Sequence, residues 1–218
     1  LRCGAGEKMQ KKSFSDGVQR LDICEPLKRK REEAKAAGIP VADDLTLQFL
    51  LVLLRAAQPK KILEIGTAVG LSGAAALLAL PQARLTTIEI EETSYLQAKE
   101  NFAFFGVEHR VNAYLGDAGE IIAAMPREMN GTFDFIFLDG PKAQYSKYLP
   151  DLKRLLRSGG VLFSDDVLLY GWVDGEAPHK RHVLIDKLRE YLREICADEE
   201  LTTSILKIGD GAAVSVKR

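Results

Sequence analysis

An apolar run that ends in a carboxylate and turns through glycines constrains this chain most. Residues 61–65 are mostly apolar and carry Glu64, and Gly66 and Gly70 follow before a run of small residues that begins at Gly73. Parallel strands buried on both faces read as continuous apolar runs, and glycine lets backbone approach a ligand closely. The segment therefore predicts a strand, a tight turn and a crossover helix, which form the first half of a nucleotide-binding βαβ unit.

The spacing of this turn argues against a dinucleotide. The dinucleotide fingerprint is G-x-G-x-x-G with a pyrophosphate at the helix N-terminus, whereas this chain reads E-x-G-x-x-x-G. Glu64 would repel a pyrophosphate but suits a ligand that carries an ammonium and a sulfonium. The turn thus favours S-adenosylmethionine over NAD, and it disfavours an NAD-dependent oxidoreductase. The alternative without a ligand is a solvated strand end beside an ordinary glycine turn.

Composition favours one intracellular domain. The 218 residues are 46% hydrophobic, which suffices for one sizeable core, and the net charge of −1 gives no overall attraction to nucleic acid or anionic lipid. Cys3, Cys24 and Cys196 have neither disulfide nor zinc spacing, so we expect a cytoplasmic protein. The most apolar window, Leu45 to Ala57, is too short to span a membrane. We expect a flexible segment over residues 1–16.

Residues 17–218 are predicted to form a single domain with an N-terminal helical element over about 17–57. Strand and helix patterns then alternate, which predicts an α/β, Rossmann-like doubly wound sheet of mostly parallel strands. After a helix from about His182 to Cys196, glycines at the turn predict an antiparallel C-terminal hairpin. The predicted strands are Ile62–Ile65, Leu85–Ile90, Val111–Leu115, Phe133–Leu138, Gly160–Ser164, Thr202–Ile208 and Ala212–Lys217.

Acidic residues follow the second and third strands, at the edge where open parallel sheets bind ligands. Glu89 lies about twenty residues beyond the glycine turn, where an acid can accept both ribose hydroxyls. Asp117 could accept from an adenine amino group while Ala118 offers its backbone N–H. The alternative for Glu89 is a cap on the helix that begins near Thr93, and Asp117 could itself be a helix cap.

Three carboxylates follow the fourth and fifth strands. Asp139 ends one strand, Asp165 and Asp166 end the next, and Lys142 lies one turn away. Carboxylates in one cleft repel each other unless a cation neutralises them, and oxygen ligands select Mg²⁺, or else Mn²⁺ or Ca²⁺. The sequence therefore predicts a divalent cation site. The alternative is that the paired acids cap a loop and that Lys142 is a surface charge.

The order of these motifs resembles the cation-dependent O-methyltransferases of the catechol and caffeoyl-CoA type, from about Val41 to the C-terminus. The last eleven residues, from Ile208, are similar to a bacterial branch of that family, some members of which methylate 5-hydroxyuridine in the tRNA anticodon. The resemblance implies seven strands, the last antiparallel, with Asp139, Asp165 and Asp166 as metal ligands. The cofactor-binding residues that we assign are Val41, Glu64, Gly66, Thr67, Gly70, Ser72, Glu89, Gly116, Asp117, Ala118 and Asp139.

The resemblance also assigns catalysis to Lys142, as base or proton relay, with Asp139 beside it. A base role requires that burial and a neighbouring cation depress the pKa of Lys142. The chain departs from the family at two places. Asp166 stands where the family usually has Asn, which keeps an oxygen ligand but adds charge. Gly140 and Pro141 replace the usual residues before the lysine, and Pro141 stiffens that loop.

These residues predict methyl transfer from S-adenosylmethionine to a hydroxyl next to a second oxygen, as in a catechol-like small molecule. A tRNA 5-hydroxyuridine is the alternative acceptor, since basic residues cluster at 28–31 and 179–182. Tyr170 or Trp172 could stack on a base of the RNA, or the two could form a hydrophobic wall beside a planar aromatic acceptor. A scaffold that binds the cofactor without turnover is the alternative of another class. The apolar surface of the segments 18–37 and 45–57 leads us to expect a homodimer.

Overall fold

Seven strands form one mixed sheet in the computed structural model, which describes residues 20–176 and 178–218. The strand order is β3-β2-β1-β4-β5-β7-β6, with β7 antiparallel to both neighbours. The predicted segment 1–16 lies outside the described residues. The strands are β1 Lys61–Ile65, β2 Arg84–Glu89, β3 Val111–Leu115, β4 Phe133–Leu138, β5 Leu156–Ser164, β6 Leu201–Leu206 and β7 Ala212–Lys217.

The helices confirm the predicted alternation, and two of those in the described part of the chain precede β1. None of the helices in the described part of the chain is long and apolar enough to cross a membrane. They are α1 Glu25–Ala36, α2 Asp44–Ala57, α3 Leu71–Ala79, α4 Glu92–Phe104, α5 Ala118–Ala124, α6 Tyr145–Leu155 and α7 His182–Ala197.

Two hydrophobic cores lie on the two faces of the sheet. Helices α1 to α4 pack with Phe135 and Phe137 of β4, while α5 to α7 pack with Ile136 and Leu138 of the same strand. Successive side chains of a strand point to opposite faces, so a strand covered on both sides must be apolar throughout. This explains the continuous apolar runs that the sequence displays.

Some element boundaries differ from the prediction. The segment after β4 begins with a 3₁₀ turn at Lys142–Gln144, and helix α6 follows from Tyr145. Pro141 precedes the turn, and it fixes its own φ at −64°. Strand β5 begins at Leu156 instead of Gly160, since Leu156 already pairs with Phe133 of β4, and the register then shifts before the next pair.

The apolar side chains of α2 are covered within the chain. Leu47, Leu50, Leu51 and Leu54 are buried in the core, and Val52 is half exposed. Part of the apolar surface that led us to expect a homodimer is therefore buried within the chain itself. The homodimer stays a prediction.

The sheet register aligns the carboxyl ends of β1, β4 and β5. Ile65 pairs with Leu138, and Leu138 pairs with Ser164. The backbone N–H of Asp139 donates to the Ile65 carbonyl at 2.9 Å, and that of Asp165 donates to the Leu138 carbonyl at 2.9 Å. The first residues after these strands are thereby fixed side by side.

Gly66 is predicted to tolerate no side chain. Its φ is +93°, and a Cβ there would lie 2.8 Å from the Asp139 carbonyl carbon. At Gly106 the φ is +66° but a Cβ would meet nothing within 4 Å. Gly106→Ala should cost about 1–2 kcal/mol of backbone strain, and Gly66→Ala a further ~1–3 kcal/mol for the clash. Urea unfolding of both variants measures this difference, and equal losses would contradict it.

Candidate active site

A cavity of about 720 Å³ opens at the carboxyl ends of the parallel strands. Its volume lies within the range of ~300–1,000 Å³ that small-molecule sites occupy. Most of the residues assigned from the sequence line it, and Glu64 and Gly70 are not among the lining residues. Those that line it are Val41, Gly66, Thr67, Ser72, Glu89, Gly116, Asp117, Ala118, Asp139, Lys142, Asp165 and Asp166.

Glu64 lies beneath the cavity, with 1% of its surface exposed. Its carboxylate accepts hydrogen bonds from the Ser72 hydroxyl and the Thr87 hydroxyl, both at 2.7 Å. Burial raises the pKa of Glu64 to about 7, and repulsion from Asp139 and Glu89 adds to the rise. Glu64 therefore does not line the cavity itself. It orients the hydroxyl of Ser72, which does.

Gly70 closes the turn into α3. Its φ is +78°, and a Cβ there would lie 2.9 Å from the ring of Phe102. The glycine is therefore required by helix packing at this position. This differs from the direct cofactor contact that we assigned to Gly70.

Glu89 lines the cavity and accepts hydrogen bonds from three backbone N–H groups. One carboxylate oxygen accepts from the backbone N–H of Ala68 at 2.7 Å, and the other accepts from those of Ile90 and Glu91. The acid that caps α4 is Glu91, which accepts from Thr93 and Ser94. The helix-capping alternative for Glu89 was therefore wrong, and its carboxylate is held rigidly at the cavity.

Asp117 caps α5 and lines the cavity at the same time. Its carboxylate accepts from the backbone N–H of Glu120 at 3.0 Å. The capping interpretation is confirmed, and a second contact through a free lone pair remains open to a ligand.

Two of the three carboxylates after β4 and β5 bind the same ammonium. The Lys142 Nζ lies 2.7 Å from Asp139 Oδ1 and 2.9 Å from Asp166 Oδ2. The backbone N–H of Asp166 donates to Asp165 Oδ1 at 2.8 Å. Asp166 has a φ of +55°, a left-handed conformation in which Asn and Asp are enriched. The same backbone geometry would accommodate the Asn that the resemblance implies as well as this chain's Asp.

Two of these carboxylates are strongly perturbed. Burial raises the pKa of Asp139, although Lys142 opposes the rise. Burial, followed by repulsion from Asp139 and Asp166, raises the pKa of Asp165 to about 8. One ammonium therefore does not balance the negative charge of this cluster.

Lys142 is a cation in this arrangement. Burial lowers the pKa of Lys142, but attraction to Asp139 and Asp166 outweighs burial and raises it. The depressed pKa that a base would need is absent, because the ion pairs stabilise the charged form. In the part of the chain that the structure describes, no three His, Cys, Asp or Glu side chains are already arranged as a metal site.

Sequence reasoning missed two residues of this region. The Tyr145 hydroxyl contacts the Leu138 carbonyl at 3.1 Å and the Asp165 carbonyl at 3.2 Å, which ties the ends of β4 and β5 together. Asp210 also lines the cavity. Its glycine neighbours indicated only a hairpin turn, and the insertion of β7 beside β5 brings that turn to the site.

The fold and the cavity define an α/β protein that binds its ligand at the carboxyl ends of parallel strands. A sequence profile of the family described as O-methyltransferase matches residues 16–218. The chain therefore belongs to the O-methyltransferase family. As a member, it is an S-adenosylmethionine-dependent O-methyltransferase.

Relatives and a solved structure agree with this membership. The chain is 32% identical over 191 residues to the flavonoid 3',5'-methyltransferase of Vitis vinifera, covering 81% of this chain and 77% of the relative. It is 28% identical over 202 residues to a caffeoyl-CoA O-methyltransferase of Populus kitakamiensis, covering 90% and 85%. The O-methyltransferase TomG of Streptomyces achromogenes, involved in tomaymycin synthesis and solved with its methyl donor, superposes with a TM-score of 0.79 at 26% identity, covering 90% and 91%.

Glu64→Gln should stabilise the protein increasingly as pH rises. The folded pKa is raised from 4.5 to about 7, so between these values the folded state binds a proton that the unfolded state has lost. Stability therefore falls as pH rises through this window, by about 3 kcal/mol in total. Gln stands in for the neutral acid and should remove that loss. Urea unfolding at pH 5 and pH 8 tests this, with the exposed Glu100→Gln as control, and a pH-independent difference would contradict it.

Proposed function

We propose that the chain methylates a hydroxyl adjacent to a second oxygen on a small, planar, catechol-like acceptor, with a divalent cation held by Asp139, Asp165 and Asp166. The observation that carries the proposal is the convergence of these three carboxylates on the cavity, with a single ammonium among them.

The cofactor would lie across the ends of β1, β2 and β3. Glu89 would accept the ribose hydroxyls, since its carboxylate is fixed by three backbone donors and lines the cavity. Asp117 and the Ala118 N–H would hold the adenine. Gly66 lines the cavity and, having no side chain, would let the methionine part pass close to the backbone.

The donor set fits a hard divalent cation. All three side chains offer oxygen, and the cluster has two more negative charges than Lys142 balances when every acid is ionised. Asp165 supports this fit, because its surface is 2% exposed and its pKa is raised by its acidic neighbours. When bound, the cation would lower the pKa of the acceptor hydroxyl and fix its direction by chelating both oxygens.

The chain's own residues would supply positioning. Tyr145 and the sheet register hold the two carboxylate-bearing loops in a fixed relation. Fixing a reactive oxygen in line with a methyl group can contribute roughly 7–11 kcal/mol in well-oriented systems. Lys142 would orient the acceptor oxygen, and a role as base requires it to leave its two ion pairs.

The acceptor would enter beside Tyr170. Its side chain is 68% exposed, lines the cavity, and packs against Trp172 at a centroid distance of 5.0 Å. Aromatic pairs of this kind suit a planar acceptor. We propose a small phenolic molecule over a tRNA anticodon, because the relatives named above are a flavonoid methyltransferase and a caffeoyl-CoA methyltransferase.

Cofactor affinity should depend on Glu89. Glu89→Ala should weaken the binding of S-adenosylhomocysteine by ~1.5–3 kcal/mol, the range for hydrogen bonds to a charged group. Calorimetric titration measures the change, and the exposed neighbour variant Glu92→Ala should bind like wild type. NAD, titrated in parallel, should not bind. Unchanged affinity in Glu89→Ala would contradict the ribose assignment.

Divalent cations should raise the melting temperature. Binding to the folded state alone stabilises it, so Mg²⁺ or Mn²⁺ should raise the melting temperature of wild type by several degrees over EDTA. Asp165→Asn should stabilise the protein in EDTA, because it removes an acid whose pKa is raised by burial and by its acidic neighbours, and it should reduce the response to metal. Asp166→Asn should bring no such gain in EDTA, since Asp166 pairs with Lys142.

The control for this series is Asp186→Asn, because Asp186 is on the exposed surface of α7. It should melt like wild type with and without metal. Melting curves that no divalent cation moves, in wild type and in both cluster variants, would contradict the cation part of the proposal.

A further inference from the structure

Lys142 lies where a cation shared by Asp139 and Asp166 would lie. Its Nζ contacts one carboxylate oxygen of each, at 2.7 and 2.9 Å, and none of the three side chains is more than 34% exposed. The stiff Pro141 and the 3₁₀ turn at Lys142–Gln144 hold the lysine close to Asp139. The ammonium thus occupies the position between the two carboxylates that a bound cation would take.

The ammonium and a divalent ion cannot both hold these two oxygens. Each would be within a few ångströms of the other, and like charges at that distance repel strongly in a partly buried site. Asp166 strengthens the lysine's hold, because an Asn at this position would offer no charge to Lys142. The carboxylate of Asp166 therefore recruits the competing cation.

We propose that Lys142 is a displaceable counter-cation, and that a divalent ion loads the site only by expelling its ammonium from Asp139 and Asp166. This inference rests on the proposed function, since it presupposes the cation site. It predicts that the native lysine weakens metal binding, and that Asp166 acts both as a ligand and as an anchor for the competitor.

Calorimetric titration of MnCl₂ into the full chain, saturated with S-adenosylhomocysteine, tests the competition. Lys142→Met removes the ammonium and keeps a flexible side chain without charge. The variant should bind Mn²⁺ at least about tenfold more tightly than wild type. Lys142→Arg keeps a cation and should not gain affinity. Lys147→Met removes an exposed lysine on α6 and controls for the change in net charge. Lys142→Gln serves as a second variant if Lys142→Met folds poorly by circular dichroism.

A double-mutant cycle separates the two roles of Asp166. In wild type, Asp166→Asn removes a ligand charge but also loosens Lys142, so the two effects partly cancel. In the Lys142→Met background only the ligand charge is lost. Asp166→Asn should therefore weaken Mn²⁺ binding severalfold more in that background than in wild type.

The outcomes distinguish this inference from the proposed function. Equal Mn²⁺ affinity in wild type and Lys142→Met, or equal effects of Asp166→Asn in both backgrounds, would overturn the inference and leave the cation site standing. The absence of Mn²⁺ binding in every variant would overturn the cation part of the proposed function, and the inference with it.

Discussion

The parallel register that joins β1, β4 and β5 is the constraint on which the site depends. The backbone N–H of Asp139 donates to the last carbonyl of β1, at Ile65, and the backbone N–H of Asp165 donates to the last carbonyl of β4, at Leu138. These bonds fix the acids side by side whatever their charges. The fold can hold them together because the sheet is stabilised by a core on each face, so the repulsion at its edge is offset elsewhere.

Two acids, Glu64 and Asp165, are buried near the carboxyl ends of the parallel strands. Burial raises the pKa of Glu64 and of Asp165, and both carboxylates therefore reduce the stability of the folded chain near neutral pH. Such perturbed groups concentrate at functional sites. Glu64 orients Ser72 from below, while Asp165 faces the cavity beside Lys142. The same buried environment therefore raises the pKa of an acid at the proposed cofactor end of the cavity and of another at the proposed cation end.

Much of this could be predicted from the sequence, because the signals are periodic or positional. Continuous apolar runs predicted the strands, and the rule that ligands lie beyond strand ends identified Glu89, Asp139 and Asp165. Side-chain direction could not be predicted in this way. Glu64 turns inward because Ser72 and Thr87 offer hydroxyls there, and only packing determines that. For the same reason, the sequence could not show that Asp139 and Asp166 raise the pKa of Lys142, since these ion pairs depend on side-chain rotamers.

The most direct test of the account is a crystal structure with S-adenosylhomocysteine and Mn²⁺, in which anomalous scattering locates the manganese. The account predicts one manganese peak ligated by the carboxylates of Asp139, Asp165 and Asp166, with the Lys142 ammonium withdrawn from Asp139. A structure at saturating Mn²⁺ without a peak at these carboxylates, and with Lys142 still between Asp139 and Asp166, would contradict it.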